Sequence, residues 1–276
     1  MCPSAQAPAT QQTSDPLWGV LVGTYLGLLV TPLAVLGVVH LGGESAGLLY
    51  GVTVVALAVV IGLGWWATDR RPKLAVRLGA TRLRWLPAAI PGAYILGGLT
   101  ALSTTGVVGA LAFSFGLGAM VVGFTLGVMA RTRYTDAVLD GVDIVAEFRA
   151  GWPGPLRQRL ALAVGAFTLL TGACFVGGLL ADWFALQLAG QLLLPLGVVT
   201  YTSTEARDYT VSPAGLERRL PVARRLTPWN AFDGYTRTDD ALVLHCPWRV
   251  DTRFALADLE DPDTVEAAVA GHLPPA

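Results

Sequence analysis

Lysine is almost missing from this chain: Lys73 is the only one among 19 Lys and Arg. Charge of any kind is scarce, 14% of 276 residues, where soluble domains carry about a quarter. Cysteine is too sparse to staple a fold. Cys2, Cys174 and Cys246 stand alone, so neither a disulfide framework nor a zinc site is implied. The segment "LHC" at 244–246 lacks further ligands. There is no His-Glu-x-x-His pair, no Ser/Lys dyad and no intramembrane aspartate pair, and the glycine-rich stretches lack the lysine and strand context of a phosphate loop. We therefore expect no enzyme, no catalytic or metal-binding residue and no cofactor.

What fills the chain is apolar surface, 53% of all residues. A helix needs roughly 20 apolar residues to cross the hydrocarbon core. Six runs qualify, at 17–40, 46–67, 86–102, 106–130, 160–181 and 183–201. The expected organisation is a tail over 1–16 without hydrophobic pattern, a six-helix transmembrane domain over 17–201, and a C-terminal domain over 202–276. The first run is longer than a signal-peptide core and has no basic flank, so it reads as a retained anchor.

Positive charge before residue 202 occupies two connections. Arg70, Arg71, Lys73, Arg77, Arg82 and Arg84 lie in the loop 68–85, and Arg131, Arg133, Arg149, Arg157 and Arg159 in the loop 131–159. By the positive-inside rule both loops are cytoplasmic, which puts both termini there too, in a multi-pass protein of the cell membrane. No ionisable residue falls well inside a run; His40, Glu44 and Asp182 sit at the outer edges. A coupled transporter is a poor fit to that pattern.

Gly19, Gly23 and Gly27, and again Ala119, Gly123 and Gly127, repeat at four-residue spacing. Each set lays a flat strip along one helix face that admits close helix packing, within the chain or in a homo-oligomer. Pro32 and Pro195 fall in run interiors and predict kinks. In the second charged loop, Asp136, Asp140, Asp143 and Glu147 share one face at 100° per residue, so an amphipathic helix is expected there.

From about 202 onward acidic residues outnumber basic ones and the periodicity shortens. "DYTVS", "GLERRL", "ARRLTPW", "GYTRTDD", "ALVLHC" and "DTRFAL" read as strands. The closing "DPDTVEAAVAGHL" reads as a helix capped by Asp261 or Asp263, with Val265, Ala268, Val269 and Leu273 on one face. The order "YTVSPAGLERRL…TPWNAFDGYTRTDDALVLHCPWRVDTRFALADLEDPDTVEAAVAGHL" resembles the pleckstrin-homology-like (PH-like) domain of haloarchaeal and bacterial integral membrane proteins. That resemblance covers the last quarter of the chain. It implies a small α+β domain, a partly open β-barrel or sandwich closed by a C-terminal helix, used for scaffolding or recognition rather than catalysis.

Arg218, Arg219, Arg224 and Arg225 bracket a proline turn in "RRLPVARRL". They are the candidate residues for a partner or lipid site, because guanidinium forks match phosphate geometry. A solvated strand edge is the competing reading, and docking on the acidic stripe of the expected 131–150 helix is another. The expected partners are the bilayer and a protein bound through the C-terminal domain, with no nucleic acid. The expected function is that of a non-enzymatic membrane adaptor or assembly factor. The alternatives are a small-molecule exporter or channel regulated by the soluble domain, and a sensor of anionic lipid.

Overall fold

The computed structural model describes residues 16–43, 45–71, 73–202, 205–221, 223–247 and 250–276. The tail, Cys2, Glu44, Trp248 and Arg249 lie outside these residues, and Pro195 is placed only as part of a helix backbone. The chain divides into two compact units, Met1–Ala137 and Val138–Ala276.

The first unit is helical: α1 (Pro16–His40), α2 (Ala46–Asp69), α3 (Leu74–Ala80), a 3₁₀ turn at Arg82–Trp85, α4 (Leu86–Ala89), α5 (Gly92–Thr105) and α6 (Val107–Leu139). Ser45 caps α2, its hydroxyl accepting from the Leu48 amide. The α1 glycines lie against α2. A Cβ on Gly19 would come 2.5 Å from the Trp65 ring and one on Gly23 would come 2.8 Å from the Ile61 Cα, while Gly27 faces Leu57. The α6 set packs inside the chain as well: Ala119 is fully buried, Gly123 lies on the Pro87 and Ala88 backbone, and Gly127 lies beside Arg84 and Trp85. Both small-residue strips are thus occupied by neighbouring segments of the same chain.

The second unit departs from the sequence reading at its start. The amphipathic helix expected across Asp136, Asp140, Asp143 and Glu147 does not form. Helix α6 stops at Leu139, Gly141 takes φ +74°, and Ala146–Ala150 is a strand, β1. Asp140-Gly141 is a helix stop, since glycine adopts the left-handed conformation at no steric cost. Beyond it "AEFRA" alternates, with Ala146, Phe148 and Ala150 turned toward the core and Glu147 and Arg149 exposed.

After β1 come α7 (Gly154–Leu180) and α8 (Phe184–Thr202). They turn at Asp182, φ +51°, and pack antiparallel, Gly178 against Gln187 and Gly190 against Thr171 and Phe175. Strands β2 (Arg207–Ser212), β3 (Gly215–Leu220) and β4 (Ala223–Thr227) complete a four-stranded antiparallel sheet of order β1-β2-β3-β4. A second sheet, β5 (Gly234–Arg237), β6 (Ala241–His245) and β7 (Thr252–Ala255), is also antiparallel, and α9 (Pro262–Ala270) closes the chain. The helical hairpin α7–α8 is therefore inserted between the first two strands of one sheet. The compact unit that holds the sheets begins at Val138 and takes in β1 and the α7–α8 hairpin.

One core joins both sheets and α9. Tyr209, Val211 and Leu216 meet Leu242, Leu244 and Phe254, and Val265, Val269 and Leu273 cover them. Phe148 from β1 stacks on Tyr209 at 5.6 Å, and Phe254 packs edge-on to both at 5.1 and 4.8 Å. Such pairs add about 0.5–1.5 kcal/mol each beyond their buried area.

Among the described residues, four helices are long and apolar enough to cross a membrane: Pro16–His40, Ala46–Asp69, Val108–Leu139 and Gly154–Leu180. Leu162, Leu169, Leu170 and Leu180 of α7 expose most of their surface, and an apolar face of that extent is compatible with a membrane protein. Replacing Gly23 with leucine is expected to push α1 off α2 and destabilise the first unit by about 1–3 kcal/mol. Gly62→Leu, into open space, should leave the thermal unfolding midpoint in detergent nearly unchanged.

Candidate functional site

The four arginines lie on β3 and β4, where the register sets Arg218 opposite Arg225 and Arg219 opposite Arg224. Like charges directly across a sheet repel. The structure answers with carboxylates on the same face. Glu217, its side chain 1% exposed, takes the Arg224 guanidinium on both oxygens, the second at 3.0 Å. Arg219 lies 3.5 Å from Glu217 and 3.3 Å from Glu147 on β1. Glu147, read from the sequence as part of an acidic helix stripe, instead meets the arginine hairpin from the outer strand of its own sheet.

Arg218 and Arg225 point the other way, toward the core face. Burial pushes the Tyr209 phenol up, and the positive charges of Arg218, Arg207 and Arg225 draw it partly back. Three guanidinium groups therefore gather around one end of that face. Arg207 donates to the Thr202 carbonyl at 2.8 Å and meets Glu205 at 3.4 Å. The sequence-predicted set thus splits in two: Arg219 and Arg224 are tied to Glu147 and Glu217, and Arg218 and Arg225 surround Tyr209.

A groove of about 750 Å³ runs along Val145 and the first four residues of β1, Ala146 to Arg149. Its other wall is Asp258, Glu260, Asp261, Thr264 and Val265, from the turn before α9 and the first half of that helix. Nothing in the sequence alone marked it, because its walls are 110 residues apart. Asp258 accepts from the Gly151 amide at 2.9 Å, and the Gly151 carbonyl accepts from the Ala255 amide at 3.0 Å, which pins the end of β1 to the second sheet.

Two other constellations lie apart from the groove. On the second sheet the Thr236 hydroxyl lies 2.8 Å from His245 Nε2, while His245 Nδ1 is 3.5 Å from Asp251, whose other oxygen accepts from the Cys246 amide at 3.1 Å. This network ties β5, β6 and the following turn together. Between α1, α2 and α6 a cavity of about 30 Å³ is lined by Thr31, Pro32, Thr53 and Phe115. Among the described residues no group of His, Cys, Asp and Glu is placed to hold a metal ion, and Cys174 and Cys246 are not joined in a disulfide. Compared with family models, with curated proteins and with solved structures, the chain matches none.

Arg224→Ala leaves the Glu217 carboxylate buried without its fork, and we expect about 3 kcal/mol of lost stability, read as lost amide protection in β3 and β4. Arg149→Ala, on an exposed face, should change stability by less than about 0.5 kcal/mol. A pH effect follows from α9. The Asp261 carboxyl is held below the usual carboxylate range, first by the Thr264 hydroxyl and then by the Thr264 amide. The ionised cap is the stabilising form, so its contribution is complete above the ordinary aspartate value and is lost as pH falls through the lowered one. Protection of the Thr264 amide, taken relative to its intrinsic exchange rate, should decline as pH falls below about 4, and Asp261→Asn should remove that dependence.

Proposed function

We propose that this chain is a non-enzymatic, multi-pass membrane protein that carries a PH-like recognition domain on its cytoplasmic side and serves as an adaptor or assembly factor. The observation that carries the reading is the insertion of α7–α8 between β1 and β2. Because Ala146–Ala150 pairs with Arg207–Val211, both ends of that helical hairpin lie on one side. If α7 crosses a bilayer, α8 must return through it.

That constraint supports a span at α8, whose 19 residues reach about 28 Å. The 86–105 segment supports another. Ile90 and Pro91 keep helical backbone angles between α4 and α5, so the 20 residues continue for about 30 Å with the break that proline imposes. Together with the four long helices these give six spans. An even number, with the positive-inside pattern of the two charged loops, favours cytoplasmic termini and a cytoplasmic sheet domain.

The PH-like reading is supported by a four-stranded and a three-stranded antiparallel sheet, packed on one core and followed by a helix. Its recognition role rests on surface, not on a reacting centre. A second reading, a sensor of anionic lipid, is favoured by the gathering of Arg207, Arg218 and Arg225 around Tyr209.

Photo-cross-linking in native membranes separates these readings. A photoreactive residue at Arg253, on the second sheet, is expected to yield discrete protein adducts, while one at Leu169 on the apolar face of α7 yields lipid adducts. Lipid adducts alone from position 253 would sink the adaptor reading and favour the sensor.

A further inference from the structure

The groove beside β1 offers a backbone edge, and it is acidic. β1 is the outer strand of its sheet, so only one of its edges is paired, with β2. Its other edge borders the groove, and among the described residues no backbone bond to another strand is made there by residues 146–150. Open strand edges are templates for pairing with a further chain unless proline, lysine, a bulge or a covering element blunts them. β1 has no proline and no lysine, and Glu147 and Arg149 are exposed. Five residues of extended chain span about 17 Å, the length of segment that β1 would pair.

Charge selects among extended segments. Asp258, Glu260 and Asp261 line the groove with Glu147, which Arg219 also holds at 3.3 Å, and Arg149 is the one basic residue among the lining. Asp258 and Asp261 make local hydrogen bonds to Gly151 and Thr264, and such bonds favour the ionised form without neutralising it. Phe148 and Val265 supply apolar surface between the walls. A strand added to β1 would present alternate side chains to the acidic wall and to this apolar surface.

We propose that the open edge of β1, faced by the start of α9, is a docking groove for an extended segment of a partner protein that carries basic side chains at alternate positions. The proposal names the partner chemistry for the adaptor role above and rests on that role. A second copy of this chain is the less suitable occupant. Its own basic outer strand, β4, has Arg224 engaged by Glu217 within the same domain.

The test uses the full chain in lipid nanodiscs and fluorescence anisotropy. The probe is a labelled seven-residue peptide alternating arginine with valine. Its controls carry glutamate for every arginine, or N-methyl groups along one backbone edge. We expect the arginine probe to bind and the glutamate and N-methyl peptides to bind at least about tenfold more weakly. Glu260→Lys should weaken the arginine probe by about tenfold, and Arg149→Glu should tighten it. Equal binding of arginine and glutamate peptides, indifference to both substitutions, or no binding up to about 1 mM would overturn the groove. So would a concentration-dependent dimer that the probe dissociates, because the occupant would then be a second copy. Protein adducts from position 253 in the face of any of these results would leave the adaptor role standing and remove only the groove.

Discussion

The pairing of β1 with β2 is the contact on which the second unit depends. It joins strands separated in the chain by two long helices, and it must form while a 27-residue and a 19-residue helix fold back on each other. The pairing is held at both ends and across its face. Val145 donates to the Val211 carbonyl, Gly151 is tied to Asp258 and Ala255, and Phe148 stacks on Tyr209. Without β1 the aromatic cluster loses one of its three rings, and Arg219 loses the Glu147 carboxylate.

The charge in the greasy chain has an internal explanation. Two arginine pairs set opposite each other would repel, and one buried glutamate with one strand-edge glutamate offsets the pair on the outer face. Low overall charge makes this arrangement conspicuous in the sequence, yet a buried carboxylate gripped by a guanidinium is a demand of the fold as much as a means of recognition. The groove on the opposite edge of the sheet has the reverse sign, so the two outer strands of one sheet differ in charge.

In the first unit, close helix approach does the work that charge does in the second. Gly23 of α1 and Gly64 of α2 meet backbone to backbone, and Gly123 and Gly127 of α6 seat the irregular 84–88 segment. Water-driven burial cannot hold helices together in an apolar medium, so fit at small residues takes its place. The glycines whose spacing admits packing within the chain or in a homo-oligomer lie against neighbouring segments of this chain.

Most of the local structure was readable from the residues. Strands β2 to β7 lie in the quoted segments, the long helices in the apolar runs, and the cap of α9 at one of the two aspartates named. Those features are encoded by neighbours, through alternation, apolar length and side-chain caps. Residues 140–150 were misread because "DAVLDGVDIVAEF" satisfies a helical acidic stripe as well as it satisfies a helix stop followed by a strand. Only a partner strand more than 50 residues away decides between them. The acidic groove and the division of the arginines into two sets likewise depended on which strands became neighbours. The sequence by itself determined where chain segments are apolar, extended or capped, because those preferences are local; the tertiary structure alone decided which charges meet, because a sheet sets register between distant residues.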